Sequence, residues 1–595
     1  MAKRISQDET APSGATTRKP QLKLSQYMPI LNWLPNYQRN YFVGDLLAGV
    51  IVAIMLVPQG MAYALLAGLP PEVGLYAGIL PLILYGIFGT SRSLAVGPVA
   101  IASLMVAAGV MHLAEPGSSA YLQYALTLAL LVGLLQAVMG LLRVGFLVNF
   151  LSHPVLVGFT AGAAILIGFS QLKHLLGVSI PRTEYFYESV LFVAAHIGET
   201  SVLTLAIGLV GIGLLLYFKY GLGKQLKQWG VSDSLAVPIA KSGPLVVVLL
   251  GTLLVWGLGL HESAHISIVG DVPGGLPSLT LPTFELPVLQ ALLPTAIAIS
   301  MVGYMESISV AKSLASKRRQ RIDANQELIA LGVANLGATF TGGYPVTGGF
   351  SRSVVNFSAG ANTGMASIIT AVLIALTVIF LTPFFYFLPN AMLAAIILVA
   401  VANLIDIKSI KHVWRYNKRD AAALFVTFFA VLAVGVETGI LIGVGAAIAL
   451  FIWRSSKPHV AVVGRLGDSE TYRNVLRHPV QTWPHVVIMR MDENLYFANT
   501  KYLEDTVLNL VAECREIEYF VLVGTAVNVI DASALETLES LIHQLKDAGV
   551  AFHLAAIKGP VMDKLLDIGF VNHIGADHIH LTTHDAMKAI GVVAE

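Results

Sequence analysis

Charge is what this chain has least of. Asp, Glu, Lys and Arg make up only 12% of its 595 residues against 55% hydrophobic, and the mean hydropathy is +0.72. That balance excludes an ordinary soluble globular protein. Cysteine is nearly absent as well: the lone Cys514 excludes a disulfide framework and any cysteine-built metal site. A net charge of +1 argues against a polyanionic partner, so no nucleic acid is expected. There is no G-x-x-x-x-G-K-[ST] phosphate loop. The nearest string, Gly221-Leu222-Gly223-Lys224, lacks the spacing and the following Ser or Thr, which removes support for ATP-driven pumping. Without a nucleophile-base or metal-ligand constellation, neither an enzyme nor a bound cofactor or metal is expected.

What is present is a succession of apolar runs, such as 243–259 and 438–453, that approach the roughly 20 residues a helix needs to cross a bilayer. Counting them gives about 14 spans, near 46–66, 74–90, 97–113, 121–142, 154–172, 201–218, 243–259, 289–309, 326–341, 347–358, 366–381, 386–405, 420–436 and 438–454. Basic residues gather in alternate loops: Arg92, Arg143, Lys219 with Lys224 and Lys227, Lys317 to Arg321, Lys408 to Arg419, and Arg454 with Lys457. The other loops hold Glu72, Glu115, Glu262, Asp271, Glu285 and Glu437, with Lys173 and Arg182 as exceptions. This asymmetry places both termini in the cytoplasm. The first 40 residues are polar, proline-bearing and lack a signal-type apolar core, so they read as a disordered, uncleaved tail. The membrane part is expected over 41–456.

After Lys457 charged residues are spread throughout, and residues 457–595 read as a linker and a soluble domain. Short apolar runs at 486–491, 519–523 and 550–557 alternate with helical patterns at 499–512, 533–548 and 560–568, as in a small α/β sheet domain.

Two stretches, "SRSLAVGPVAIASLM" (91–105) and "TGGYPVTGGFSRSVV" (341–355), share a pattern: Gly, Pro and small polar residues, then a helical run. Each reads as a half-helix beginning inside the membrane. Non-helical backbone at that depth is tolerated only around an enclosed cavity, and paired broken helices are the best sequence pointer to a transporter's substrate site. Two helix amino termini facing each other beside Arg352 would bind an anion. The alternative places Arg352 near an interface, snorkelling to water, and makes the glycines simple packing residues.

Glu306 ends a stretch, 286–305, that is free of charge. A protonatable carboxylate beside an anion site would couple proton and anion movement; Lys312, two turns on, leaves open a plain helix-end carboxylate. Gln59 and Tyr63, one turn apart, offer neutral donors on one helix face or ordinary interhelical hydrogen bonds. A secondary transporter accounts for these features best. A channel would need a continuous polar pore, and a membrane-tethered signalling protein would not need broken helices.

"VPQGMAYALLAGLPPEVGLYAG" (57–78), "SHPVLVGFTAGAAI" (152–165) and "NQELIALGVANLGATFTGGYPVTGGFSRSVVNFSAGANTG" (325–364) closely resemble motifs of the SulP sulfate permease family, and "VNVIDASALETLESL" (527–541) resembles a STAS domain. The resemblance runs from about residue 30 to the end. It implies an α-helical polytopic membrane protein of two inverted seven-span repeats, a core and a gate domain moving in an elevator-type cycle, with a cytoplasmic α/β STAS domain and a homodimer in the cell membrane, the inner membrane of a bacterium. Gln59, Tyr63, Val99, Ala100, Ser351 and Arg352 match the family's substrate contacts, and Glu306 matches the acid of its proton-coupled sulfate carriers. Sodium-coupled bicarbonate members resemble this chain less, having an aspartate in place of Glu306 and a threonine where Val310 stands. Proton-coupled sulfate symport is thus the leading expectation, with bicarbonate or dicarboxylate transport or anion exchange as the alternative. A nucleobase carrier of the same fold fits Arg352 poorly. In the tail, Ser533 occupies the turn where STAS antagonists carry a phosphorylatable serine, whose phosphorylation would add negative charge at a helix start and alter docking of a cytoplasmic regulatory partner; the plainer reading is a helix cap by Asp531 or Ser533.

Overall fold

The computed structural model describes residues 24–146, 152–178, 186–514 and 516–593. The first 23 residues of the expected tail and Arg182 lie outside these. Within the rest of that tail, Leu24–Tyr27 and Ile30–Trp33 form short helices, and Gln326 Nε2 donates to the Tyr27 carbonyl at 2.8 Å.

Each apolar segment of the sequence overlaps a helix. They are α1 (Arg39–Leu66), α2 (Pro71–Phe88, in two pieces), α3 (Ala100–Met111), α4 (Ser119–Leu141), α5 (His153–Leu176), α6 (Val202–Leu216) and α7 (Gly243–Gly257). Then come α8 (Leu286–Lys317), α9 (Ala324–Phe340), α10 (Phe350–Ser358), α11 (Met365–Phe380), α12 (Asn390–Val401), α13 (Lys418–Val434) and α14 (Val436–Ser456). Among the described residues, eight helical stretches are long and apolar enough to cross a membrane alone. Helices α3 and α10, at 12 and 9 residues, are not. At 1.5 Å per residue they reach about 18 and 13 Å, roughly half the ~30 Å hydrocarbon layer.

The packing repeats with a period of seven helices. Helix α1 packs on α11 and α8 on α4; α5 packs on α13 and α12 on α6; α3 packs on α8 and α10 on α1. Shifting every number by seven, counting on from α14 to α1, turns the first contact of each pair into the second, which is how two like halves interleave. Two apolar cores result. One joins side chains of α2, α3, α4, α8 and α9, including Tyr85, Met105, Tyr121 and Tyr304; the other joins α1, α5, α6, α7, α11 and α12, including Leu56, Met61, Ile167 and Met392.

Just before the two short helices, β1 (Val96–Gly97) and β2 (Thr347–Gly348) pair antiparallel, Val96 opposite Gly348 and Gly97 opposite Thr347. The ladder is extended by Gly349 N donating to the Ala95 carbonyl at 3.1 Å.

The second compact unit separates from the first between Ala447 and Ile448, inside α14. Strands β3 (Val460–Arg465), β4 (Tyr472–Asn474), β5 (Val486–Met491), β6 (Tyr519–Val523), β7 (Ala551–Ala555) and β8 (Ile579–His580) form one sheet in the order β4-β3-β5-β6-β7-β8. It is parallel from β5 to β8 and antiparallel at β3. Alternation explains why both faces are covered. Phe520 and Leu522 point into a core with α15 (Thr500–Glu513), α16 (Ala532–Asp547) and α17 (Gly559–Asp567), while Val521 and Val523 meet α18 (Thr583–Ala589).

Candidate functional site

The two short helices start beside each other. Val99 is the N-cap of α3 and Gly349 that of α10, and neither helix start carries a side-chain cap. The first intrahelical bonds are Ser103 N to Val99 O and Ser353 N to Gly349 O, both 3.0 Å. The amides of Ala100, Ile101 and Ala102, and of Ser351 and Arg352, therefore end the two helices as unspent donors pointing out of their N-termini, while the Phe350 N–H is turned to Glu306 of α8. Polar groups of this kind in an apolar interior need an acceptor.

Arg352, in the first turn of α10, is 3% exposed. Its Nη1 donates to the Pro98 carbonyl at 2.7 Å, immediately ahead of α3. Its Nε and Nη2 are buried with no hydrogen-bond partner among the described residues. Two glycines make room for the guanidinium. A Cβ on Gly349 would stand 3.0 Å from Arg352 Cζ and Nη2, and one on Gly97 would stand 3.4 Å from Nη2. Gly97 also has φ +147°, which side-chain-bearing residues rarely adopt. The interfacial alternative for Arg352 fails on its burial.

Surrounding helices hold this geometry with hydrogen bonds. On α8, Ser307 Oγ donates to Gly303 O and lies 2.8 Å from Thr347 Oγ1, Thr347 Oγ1 donates to Gly303 O, and Gly348 N donates to Ser307 Oγ. On α9, Asn335 accepts from Val346 N at 2.7 Å and donates to Val346 O at 3.0 Å, binding the strand as a backbone would. Ser353 Oγ accepts from Ala95 N at 2.9 Å. Glu327, 0% exposed, accepts from Tyr85 Oη, Thr90 N, Thr90 Oγ1 and Ser91 N at 2.6–2.9 Å, which fixes the segment leading into β1.

Of the residues singled out from the sequence, Glu306 lies on α8 beside Ser307, within electrostatic reach of Arg352 and facing the Phe350 backbone N–H. With Val99 and Thr347 it lines a small cavity. Tyr63 on α1 is buried and in electrostatic reach of both Arg352 and Glu306. Gln59 is buried one turn before it on α1, the helix whose Leu56 side chain would touch a Cβ on Gly97. Val99 and Ala100 stand at the N-cap and first position of α3. Ser351 is different: its side chain is exposed, so what it adds to the buried cluster is its backbone N–H, and the buried hydroxyl of α10 belongs to Ser353. Ser533, far along the chain, is exposed in the first turn of α16, whose cap is Asp531 accepting from Ala534 N at 2.9 Å.

Sequence reasoning missed Tyr344 and Ser103, buried with oxygens 2.9 Å apart, as well as Ser307, Asn335, Thr347 and Ser353. Their signal was polar side chains inside runs otherwise apolar. No group of three or more His, Cys, Asp or Glu side chains suited to a metal occurs among the described residues.

Two half-helices thus start side by side around an arginine with two unpartnered nitrogens among the described residues. The sequence profile of the sulfate permease family matches residues 42–427, and that of the STAS domain matches residues 478–586. This chain belongs to the sulfate permease family. The carrier is 38% identical over 573 residues to the Arabidopsis thaliana protein named probable sulfate transporter 4.2, covering 94% of this chain and 83% of that one. It is 37% identical over 596 residues to sulfate transporter 4.1, chloroplastic, of the same plant, covering 97% and 85%. Its fold is similar to that of the murine Slc26a9 anion transporter in the inward-facing state, with a TM-score of 0.87 at 24% identity over 99% of this chain and 100% of the other. The transmembrane domain of a cyanobacterial bicarbonate transporter, BicA, is similar with a TM-score of 0.57 at 22% identity, over 69% of this chain and 98% of that one. The carrier is therefore a helical membrane anion transporter with a STAS domain, not an enzyme.

Proposed function

We propose that the carrier moves sulfate together with protons. The observation that supports this reading is Arg352: two of its nitrogens are buried without an acceptor among the described residues, beside two uncapped helix starts. A tetrahedral oxyanion offers acceptors to a guanidinium fork and to several backbone amides at once, and charge-assisted bonds of this kind are about twice as strong as neutral ones. Relatives named sulfate transporters at 33–38% identity support sulfate over other oxyanions. On this reading Arg352 and the N–H groups of α3 and α10, with Ala100 and Ser351 among them, hold the anion. Val99 shapes the start of α3, and Gln59 and Tyr63 close the site from α1.

Glu306 is the proton carrier. Ionised, it repels a dianion entering beside it; protonated, it does not, so anion and proton load together. A core domain holding the anion moves against a gate domain in an elevator-type cycle within a homodimer, in a cell membrane with both termini cytoplasmic. Phosphorylation of Ser533 would add charge at the start of α16 and alter docking of a cytoplasmic partner.

Uptake of radiolabelled sulfate by proteoliposomes, with and without an inward proton gradient, tests this. Gradient-driven uptake is expected, lost in Arg352→Ala. A folded protein that takes up no sulfate would overturn it.

A further inference from the structure

Helices α3 and α8 meet a second carboxylate away from Arg352. Glu437 lies in the first turn of α14, half-buried, and accepts from Thr295 Oγ1 of α8 at 2.7 Å. Thr295 sits about 16 Å along α8 from Glu306, at 1.5 Å per residue. Helix α3 presses on the same place from its far end: a Cβ on Gly109 would stand 2.4 Å from Thr295 Oγ1 and 3.0 Å from Glu437 Oε1. His112, the C-cap of α3, is the titratable group in electrostatic reach of the carboxylate. From α8 it meets the neutral Thr295 hydroxyl, and α13 backs α14 with the apolar Val431. Among the described residues no Lys or Arg pairs with it.

A carboxylate held by one hydroxyl where three helices meet, with His112 in reach and no Lys or Arg paired to it among the described residues, is placed to take up and release a proton. Glu437 belongs to the loop set poor in Lys and Arg, opposite the cytoplasmic one. We propose that Glu437 is a second proton-binding site of the carrier, open to the outer side, through which external pH sets how firmly α14 holds α3 and α8. This rests on reading the chain as a proton-coupled carrier. Ionised, the carboxylate takes a charge-assisted bond from Thr295 and is favoured by the N-terminus of α14. Protonated, it loses both advantages, and the contact that ties α14 to the two anion-site helices weakens. External acid thus loosens this end of the molecule before the anion site moves.

The test is sulfate uptake by proteoliposomes of the full chain at fixed internal pH and varied external pH, for wild type, Glu437→Gln and Thr295→Val. Infrared difference spectra of the same samples follow the carboxyl band. Wild type is expected to show an external-pH dependence that Glu437→Gln flattens, together with loss of one protonated-carboxyl band. Thr295→Val is expected to move the midpoint toward alkaline pH, because the bond favouring the ionised form is gone. A wild-type profile and an intact band in Glu437→Gln overturn the proposal while leaving sulfate transport standing. If Glu437→Gln does not fold, an unshifted midpoint in Thr295→Val overturns it. Absence of uptake in wild type would instead remove the transport reading itself, and in that case the infrared band alone decides whether Glu437 binds a proton.

Discussion

Arg352 Nη1 donates to the Pro98 carbonyl at 2.7 Å, so the cation of one half-helix is anchored to the residue preceding the other. That bond spends one donor and fixes the guanidinium plane, leaving Nε and Nη2 without an acceptor among the described residues. If the site holds an anion as proposed, the anion meets donors already in place, with little side-chain entropy left to lose.

The clearance around the guanidinium makes Gly349→Ala informative. Its Cβ would press on Arg352 at 3.0 Å, at a backbone φ of −92° that alanine adopts without strain. The chain is expected to fold, with a capping cost of about 1 kcal/mol or less, but to bind sulfate at least about tenfold more weakly, the loss of one charge-assisted bond. Titration calorimetry beside a thermal melt separates the two effects; unchanged affinity would mean the arginine has room to spare.

Glu306→Gln keeps shape and removes the titration. Sulfate counterflow without a gradient is expected to persist, while the stimulation of net uptake by an inward proton gradient disappears. Stimulation equal to wild type would assign the coupling proton elsewhere.

Glu327 is a structural carboxylate. Its four donors come from α2 and the segment after it, and an amide in its place turns an NH2 toward N–H and O–H groups. Glu327→Gln is expected to cost on the order of 2–3 kcal/mol, the range for buried donors left unmatched. A melting temperature equal to wild type would contradict the role.

In the STAS domain, His553 Nδ1 and His580 Nε2 lie 3.0 Å apart, and the His578 ring is 4.5 Å from that of His553. Burial and these two neighbours push His553 down from 6.5 to about 4. The open chain binds a proton that the folded domain refuses, so stability is full above about pH 6.5 and falls as pH drops toward 4. Hydrogen exchange of the full-length carrier should show β7 and β8 losing protection at pH 5.5 relative to 7.5, after correction for intrinsic rates. His553→Phe should remove the difference, and equal protection in wild type would refute the linkage.

The helices were legible because lipid-facing runs announce themselves by composition, whatever their partners. The site was legible in part, since Gly, Pro and Arg in "TGGYPVTGGFSRS" mark a helix start at membrane depth. The ribbon of β1 and β2 was not: two-residue strands carry no periodicity, and their partners lie about 250 residues apart in the chain. Ser351 and Ser353 could not be ranked without the phase of α10, which depends on Gly349 being the cap. The role of Glu327 was hidden because its donors are distant in sequence. In the STAS domain β5, β6 and β7 stood out as apolar runs, whereas β4 and β8, short and partly exposed, did not.

Equilibrium binding of sulfate by the purified carrier, compared among wild type, Arg352→Lys and Arg352→Ala, bears most directly on the central claim. Wild type should bind. Arg352→Lys should bind at least about tenfold more weakly, because a lysine keeps the charge and loses the fork, and Arg352→Ala should show no saturable binding. Equal affinity in all three folded proteins would mean that the unpartnered nitrogens of Arg352 do not hold the anion.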